Sequence, residues 1–251
     1  MRVNLLSHTP HALELLLYTK NTRLQAGTTM VDIMDWPMEK KLEHLNYMLK
    51  TIKSSWEFVD YVFEIQDVPR SFTHQLVRTR NGSYAQESQR TVDVRDHTWQ
   101  NDLDDPFLAK LMDDSVRQIM RRYQEMIDSG AEVQQARDIL PTGIHTNIIA
   151  KFNLRTLHEM AKVRLCTRTQ GVYQDVFKKM KQLVVAVHPW ADDFINVACV
   201  QDGFCVFPNY KECPVQEHTF RVSDDIKMRI KQVWEETDHV ANPVAKNGRT
   251  M

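Results

Sequence analysis

The thirteen residues from Arg78 to Arg90 (RTRNGSYAQESQR) hold three arginines, two serines and several amides against one acid, Glu87. Such a stretch is dense in donors for anions. A guanidinium fork gives two parallel hydrogen bonds to phosphate oxygens, and hydroxyl and amide groups add more. Composition alone reads the run as a solvated basic loop, the usual place of clustered charge. Arg90 and Arg137 nevertheless meet a definite requirement, because a nucleoside monophosphate carries nearly two negative charges and a fixed guanidinium fork reorganises little on binding it.

Glycine usage sharpens this reading. The chain has seven glycines in 251 residues, roughly 3% where about 7% is usual. No two lie close enough for G-x-G, so the dinucleotide fingerprint and the P-loop are both absent. Any nucleotide must be held by side chains. The 32 basic and 33 acidic residues give a formal net charge of -1. That balance speaks against an extended polyanion surface, and no nucleic-acid polymer is expected as a partner. The four cysteines, Cys166, Cys199, Cys205 and Cys213, are too few and too late for a disulfide scaffold. A reducing, cytoplasmic setting is expected, with no membrane span and no cleavable leader.

Arg78-x-Arg80, seven residues, then Ser88 resembles the R-H-R-x(7)-S signature of flavin-dependent thymidylate synthases. The flanks, His74-Gln75-Leu76-Val77 and Ser88-Gln89-Arg90, are similar to that family as well. So are Ala136-Arg137-x-x-Leu140-Pro141, Thr146 and Asn153-x-Arg155-x-Leu157, with Arg164 and Gln170 extending the match. Upstream, Ser54-x-x-Glu57 resembles the remnant of an H-x-S-x-x-E-H segment, so the likeness runs from about residue 1 to 190.

The resemblance implies a mixed α/β (α+β) fold of the thymidylate synthase complementing protein type. It also implies non-Rossmann flavin binding and a homotetramer with active sites at subunit interfaces. It implies FAD as cofactor, with methylenetetrahydrofolate and NADPH as co-substrates, and methylation of a pyrimidine deoxynucleoside monophosphate at carbon 5, dUMP first. By position, Ser54, Glu57, Arg78, Thr79, Arg80, Asn81, Asn153, Arg155, Glu159, Arg168 and Gln170 fall to the cofactor. Gln75, Gln86, Glu87, Ser88, Gln89, Arg90 and Arg137 fall to the nucleotide. Arg164 joins them as the catalytic candidate, since a cation beside the pyrimidine stabilises the charge that develops as carbon 5 becomes nucleophilic. Gly82, inside the signature, is expected to let the backbone pass close to flavin.

The chain departs from the family pattern at Thr79, Ile52 and Phe58, where the family carries histidine. Arg168 stands where another histidine is frequent, and Glu159 where asparagine is common. Threonine still hydrogen-bonds and phenylalanine still stacks, but neither shuttles a proton. Ordinary thymidylate synthesis therefore stands beside methylation or hydroxymethylation of dCMP. A non-catalytic nucleotide- or RNA-binding module is the reading from another class, weakened by Tyr84 being the sole aromatic in the loop. The thiols at 199, 205 and 213 could hold zinc with Cys166 or His218, but the spacing lacks paired C-x-x-C knuckles. They are read as unlinked and reduced, and no metal ligands are assigned.

These residues need elements to place them. Alternation predicts strands over Arg2 to Ser7 and Val59 to Gln66, and three- and four-residue spacing predicts helices over Pro37 to Lys53 and up to Gly130. Thr9-Pro10 opens a helix through Leu13, Leu16 and Leu17, and Pro69 opens another toward Arg80. Residues 81–99 read as an ordered loop or irregular strand. Helices are expected from about Asn147 to Leu165 and from Tyr173 to Val187, then a strand-like VACVQDGFCVF and a short helix over 224–236. One domain, 1–238, is expected, with 239–251 a disordered tail.

Overall fold

The computed structural model describes residues 1–21, 27–51, 53–169, 171–203, 205, 207 and 213. At its centre is a four-stranded sheet in the order β1-β2-β4-β3, formed by Arg2–His8, Asp60–Pro69, His145–Asn153 and Ser83–Gln86, numbered β1, β2, β4 and β3. All three pairings are antiparallel. Alternation explains β2, where Tyr61, Phe63 and Ile65 point into the core and Val62, Glu64 and Gln66 do not.

Helices cover the inner face. They are α1 (Ala12–Asn21), α2 (Met30–Met34), α3 (Met38–Leu49), α4 (Arg70–Leu76), α7 (Leu154–Arg164) and α8 (Gly171–Val187). With the 3-10 turn Lys53–Phe58 they enclose one large cluster that includes Leu16, Trp56, Phe72, Phe152, Phe177 and Val184. A smaller cluster of Val94, Val116, Met120, Tyr123, Ala136 and Ile144 lies under α5 (Pro106–Asp128) and α6 (Val133–Ala136). Asp105 caps α5 by accepting from the amides of Phe107 and Leu108 at 2.8 and 3.1 Å. At the other end Gly130, at φ +91°, donates to Ile127 while Ala131 donates to Met126, the paired bonds of a Schellman stop.

Several expectations need correction. The stretch from Asn147 to Leu165 is not one helix. Residues 145–153 form β4, with Thr146, Ile148, Ala150 and Phe152 buried in alternation, and the helix starts only at Leu154. An apolar run bounded on one side by Pro141 is ambiguous between the two periods, and pairing on both edges with β2 and β3 decides for strand. The segment 81–99, read as an ordered loop or irregular strand, contains the short edge strand β3. The helix opened by Pro69 ends at Leu76, and the helix from Pro37 ends at Leu49 with a 3-10 turn beyond. The strand-like VACV folds instead as the short helix α9, Ala198–Gln201. The predicted helix over 224–236, the tail, Gln170 and Ile52 lie outside the described residues.

Candidate functional site

Three elements converge on a pocket of about 920 Å³ lined by Glu57, Arg78, Thr79, Arg80, Asn81, Asn153, Arg155, Thr156, Glu159, Met160, Val163 and Arg164. Eight of these are residues the sequence assigns to a cofactor, and Arg164 is the catalytic candidate. Four guanidinium groups face two carboxylates there, so the pocket favours an anion.

The turn from Arg78 to Gly82 supplies one wall. It leaves α4 through bonds from Arg78 N to Gln75 O (3.3 Å) and Thr79 N to Leu76 O (3.0 Å), then closes with Gly82 N to Thr79 O (3.1 Å). The Tyr84 hydroxyl, reaching back from β3, lies 3.1 Å from Leu76 O and 2.5 Å from Thr79 O. Burial pushes that phenol up to about 12, so it stays a donor. Gly82 is needed where this ring crosses the backbone. A Cβ there would meet the Tyr84 oxygen and Phe152 Cε1 at 2.5 Å, so the close approach is to these two rings and not to a ligand.

Helix α7 supplies the opposite wall. Asn153 ends β4 and caps α7, its Oδ1 accepting from Thr156 N at 2.8 Å, while Leu154 N donates to Val59 O at 2.8 Å. Arg155, in the first turn, pairs with Glu57 of the 3-10 turn at 2.5 Å. One turn later Glu159 faces the same pocket, with Lys53 at 3.7 Å and Lys162 at 3.8 Å. Arg164 closes the helix with its guanidinium 4.0 Å from the centre of the Tyr173 ring. Tyr173 is buried, which pushes its phenol up against the opposing pull of the Arg164 charge.

Sequence reading missed the support behind Glu159. His158 is buried, with Nδ1 2.7 Å from Phe194 O, so this nitrogen must donate. Nε2 of the neutral ring is then free to accept from the Lys53 ammonium. Burial pushes His158 below its ordinary value, which agrees with a neutral ring. The sequence carries no pattern for the pair, because 105 residues separate them.

Apart from Arg164, the residues assigned to a nucleotide are not in the lining of this pocket. Gln75 is half-buried on α4, and Gln86 ends β3 with its Nε2 donating to Thr73 Oγ1 at 2.9 Å. Glu87 accepts from Asn147 Nδ2 at 2.6 Å and faces His97 at 3.6 Å. Ser88 shapes the following turn, its Oγ accepting from Arg90 N at 3.2 Å, which leaves the Arg90 side chain exposed. Arg137 begins the 3-10 turn Arg137–Ile139 and is half-buried.

Arg70, which the sequence reading passed over, stands within electrostatic reach of both Arg137 and Glu87. Burial and the neighbouring Arg137 charge push Arg70 below its ordinary value. Arg70 Nη1, Glu87 Oε1 and Gln89 Nε2 are buried without a hydrogen-bond partner. Unsatisfied groups of this kind mark a surface finished by something else. Ser54 sits half-buried on the 3-10 turn behind Glu57, and Arg168 is exposed after α7 with its guanidinium 4.5 Å from the Phe207 ring centre. In the single chain, then, eight of the eleven cofactor candidates line one pocket, Ser54 and Arg168 lie outside its lining, and Arg70, Glu87 and Arg137 stand within electrostatic reach in a second polar patch.

An antiparallel sheet thus carries, along α7, a pocket lined by arginines, amides and two carboxylates. The chain matches the family model described as thymidylate synthase complementing protein over residues 4–190, and it belongs to that family. It is 32% identical over 145 residues to the flavin-dependent thymidylate synthase of Saccharolobus solfataricus, covering 56% of this chain and 55% of that protein. With the flavin-dependent thymidylate synthase of Pyrococcus furiosus it shares 31% identity over 166 residues, 61% of this chain and 67% of that protein. The Geobacter sulfurreducens protein of the same name is 30% identical over 142 residues, 55% of this chain and 61% of its own. The chain thus spans about half to two thirds of the length of the curated relatives it matches. No helix among the described residues is long and apolar enough to cross a membrane.

Proposed function

We propose that this protein is a flavin-dependent thymidylate synthase that methylates dUMP at carbon 5, using methylenetetrahydrofolate as carbon donor and NADPH as reductant. The observation that carries the reading is the single pocket holding Glu57, Arg78, Thr79, Arg80, Asn81, Asn153, Arg155 and Arg164. Its donor set suits FAD. Arg78, Arg80 and Arg155 offer forks to a diphosphate, Asn81 and Asn153 offer amides, and the pocket volume accommodates a ligand of that size. Reduced FAD, when bound, supplies the hydride that completes the methyl group.

The chain's own residues do the rest. Glu57 holds Arg155 at the pocket edge, and Tyr84 and Gly82 fix the turn that carries the two signature arginines. Arg164, stacked on Tyr173, is held where it can stabilise negative charge on a pyrimidine ring as carbon 5 attacks. The patch of Arg70, Glu87, Gln89, Arg90 and Arg137 suits the nucleotide phosphate, with its orphaned polar atoms finding partners on binding. The family resemblance implies that the complete site joins residues of two subunits in a homotetramer.

Equilibrium titration with FAD tests the cofactor assignment. The wild-type chain should bind FAD, and Arg155→Ala should bind it at least tenfold more weakly. Equal affinity in both would remove the pocket from the reading.

A further inference from the structure

The two carboxylates that line the pocket are held in different ways. Glu57 is paired with Arg155, another lining residue. The neighbours of Glu159 stand outside the lining: Lys53 lies 3.7 Å and His158 Nε2 3.6 Å from its Oε1, and Lys162 lies 3.8 Å from its Oε2. Lys162 is shared with Asp202 at 3.2 Å, whereas Lys53 reaches Glu159 from the 3-10 turn that packs on α7. The tautomer of His158 gives Lys53 its importance. Nδ1 donates to Phe194 O, so Nε2 presents a lone pair, and a lone pair 3.6 Å from a carboxylate oxygen sets two acceptors face to face. A donor is needed between them. The Lys53 ammonium supplies it, donating to Nε2 while its charge stands beside Oε1. The His158 ring is fixed by burial and by Trp56, edge-on with centroids 4.9 Å apart, and Lys53 lies 5.3 Å from the centre of the same indole. Burial and the Lys162 charge push Lys53 below its ordinary value, while the Glu159 and Asp202 carboxylates favour its ammonium form.

We propose that Lys53 is a positioning residue of this pocket: it bridges His158 to Glu159 and so holds the Glu159 carboxylate toward the ligand, where it accepts from an N–H or O–H donor of bound flavin. The inference rests on the reading of the pocket as the flavin site. Glu159 stands on α7 between Arg155, which suits the diphosphate, and Arg164, placed for the ring chemistry, so it faces the middle of such a ligand. An ionised acceptor in a pocket for an anion must have its own charge offset, or it repels the phosphates it helps to seat. Lys53 and Lys162 offset it from outside the lining, which leaves the lining arginines for the ligand. Without Lys53 the lone pair of His158 drives the carboxylate away, and its charge is left to oppose the diphosphate.

FAD titration and an NMR titration of the histidines of the purified full chain test this. Lys53→Met should weaken FAD binding about tenfold, whereas Lys53→Arg, which keeps the charge and the donors, should retain it. Lys53→Met combined with Glu159→Leu should bind FAD no more weakly than Lys53→Met alone, since both changes act on one contact. The second titration needs no flavin. The Lys53 charge opposes a proton on His158 and Glu159 favours one, so in Lys53→Met His158 should take up its proton about one pH unit higher than in the wild type. A purely structural lysine would leave that titration where it is. A wild-type chain that binds no FAD would remove the cofactor reading, and the His158 titration would still decide the bridge. FAD bound equally by the wild type and Lys53→Met, or a His158 titration unmoved by Lys53→Met, would overturn the inference.

Discussion

At the scale of single residues, the patch proposed for phosphate centres on Arg70, whose Nη1 lacks a hydrogen-bond partner and whose charge stands beside that of Arg137. Arg137 repels Arg70 and Glu87 attracts it, and an arriving dianion would offset that repulsion. Charge-assisted hydrogen bonds contribute about 1.5–3 kcal/mol each, so losing one weakens binding by about ten- to hundredfold. Arg90→Ala, Arg137→Ala and Arg70→Met should each weaken dUMP binding by that amount while FAD affinity holds, as read by calorimetric titration of both ligands. Unchanged dUMP affinity in all three would remove the patch from the nucleotide site. Arg90 and Arg137 are legible in the sequence because they fall on motif positions. Arg70 is not, since an arginine after Val68-Pro69 carries no pattern until β2 and the 3-10 turn at Arg137 bring it beside Glu87.

The elements hold the pocket open through two local devices, and each makes a prediction. Asn153 both caps α7 and lines the pocket. Asn153→Ala should lower stability by about 1 kcal/mol, a few degrees in thermal unfolding, and weaken flavin binding as well. Gly82 packs against Tyr84 and Phe152 with no room for a methyl group. Gly82→Ala should cost about 1–3 kcal/mol through overpacking, seen as a lower melting temperature even without ligand. A wild-type melting temperature would contradict that contact. The same elements show where pattern reading stops. Strand β2 is legible because Tyr61, Phe63 and Ile65 alternate with polar neighbours. Strand β4 is not, because exposed Ile149 sits between Ile148 and Ala150 and fills the gap that alternation needs. Neither are Lys53 and His158, which meet only when the 3-10 turn packs on α7.

Across the whole molecule, titration of one core group sets a pH response. The Tyr61 hydroxyl and His188 Nδ1 are 2.9 Å apart in the core, and burial, with the neighbouring His8 charge, pushes His188 down from 6.5 to about 4. The folded chain keeps this ring neutral while the unfolded chain takes up a proton below about 6.5. Stability from this group is therefore complete above that pH and is lost as the pH falls toward 4. Melting temperature should decline over that window, and His188→Gln, which can still accept from Tyr61, should flatten the decline. On the same scale, family membership, the antiparallel sheet and the arginine pocket meet in one claim, that this chain builds the methyl group of a pyrimidine nucleotide with reduced flavin. The most direct measurement is mass analysis of the nucleotide after the purified chain is incubated with FAD, NADPH, methylenetetrahydrofolate and either dUMP or dCMP. Nucleotide dUMP should gain one CH2, dCMP should stay unchanged, and Arg164→Ala should abolish the gain. Unchanged dUMP, or a gain on dCMP alone, would contradict that claim.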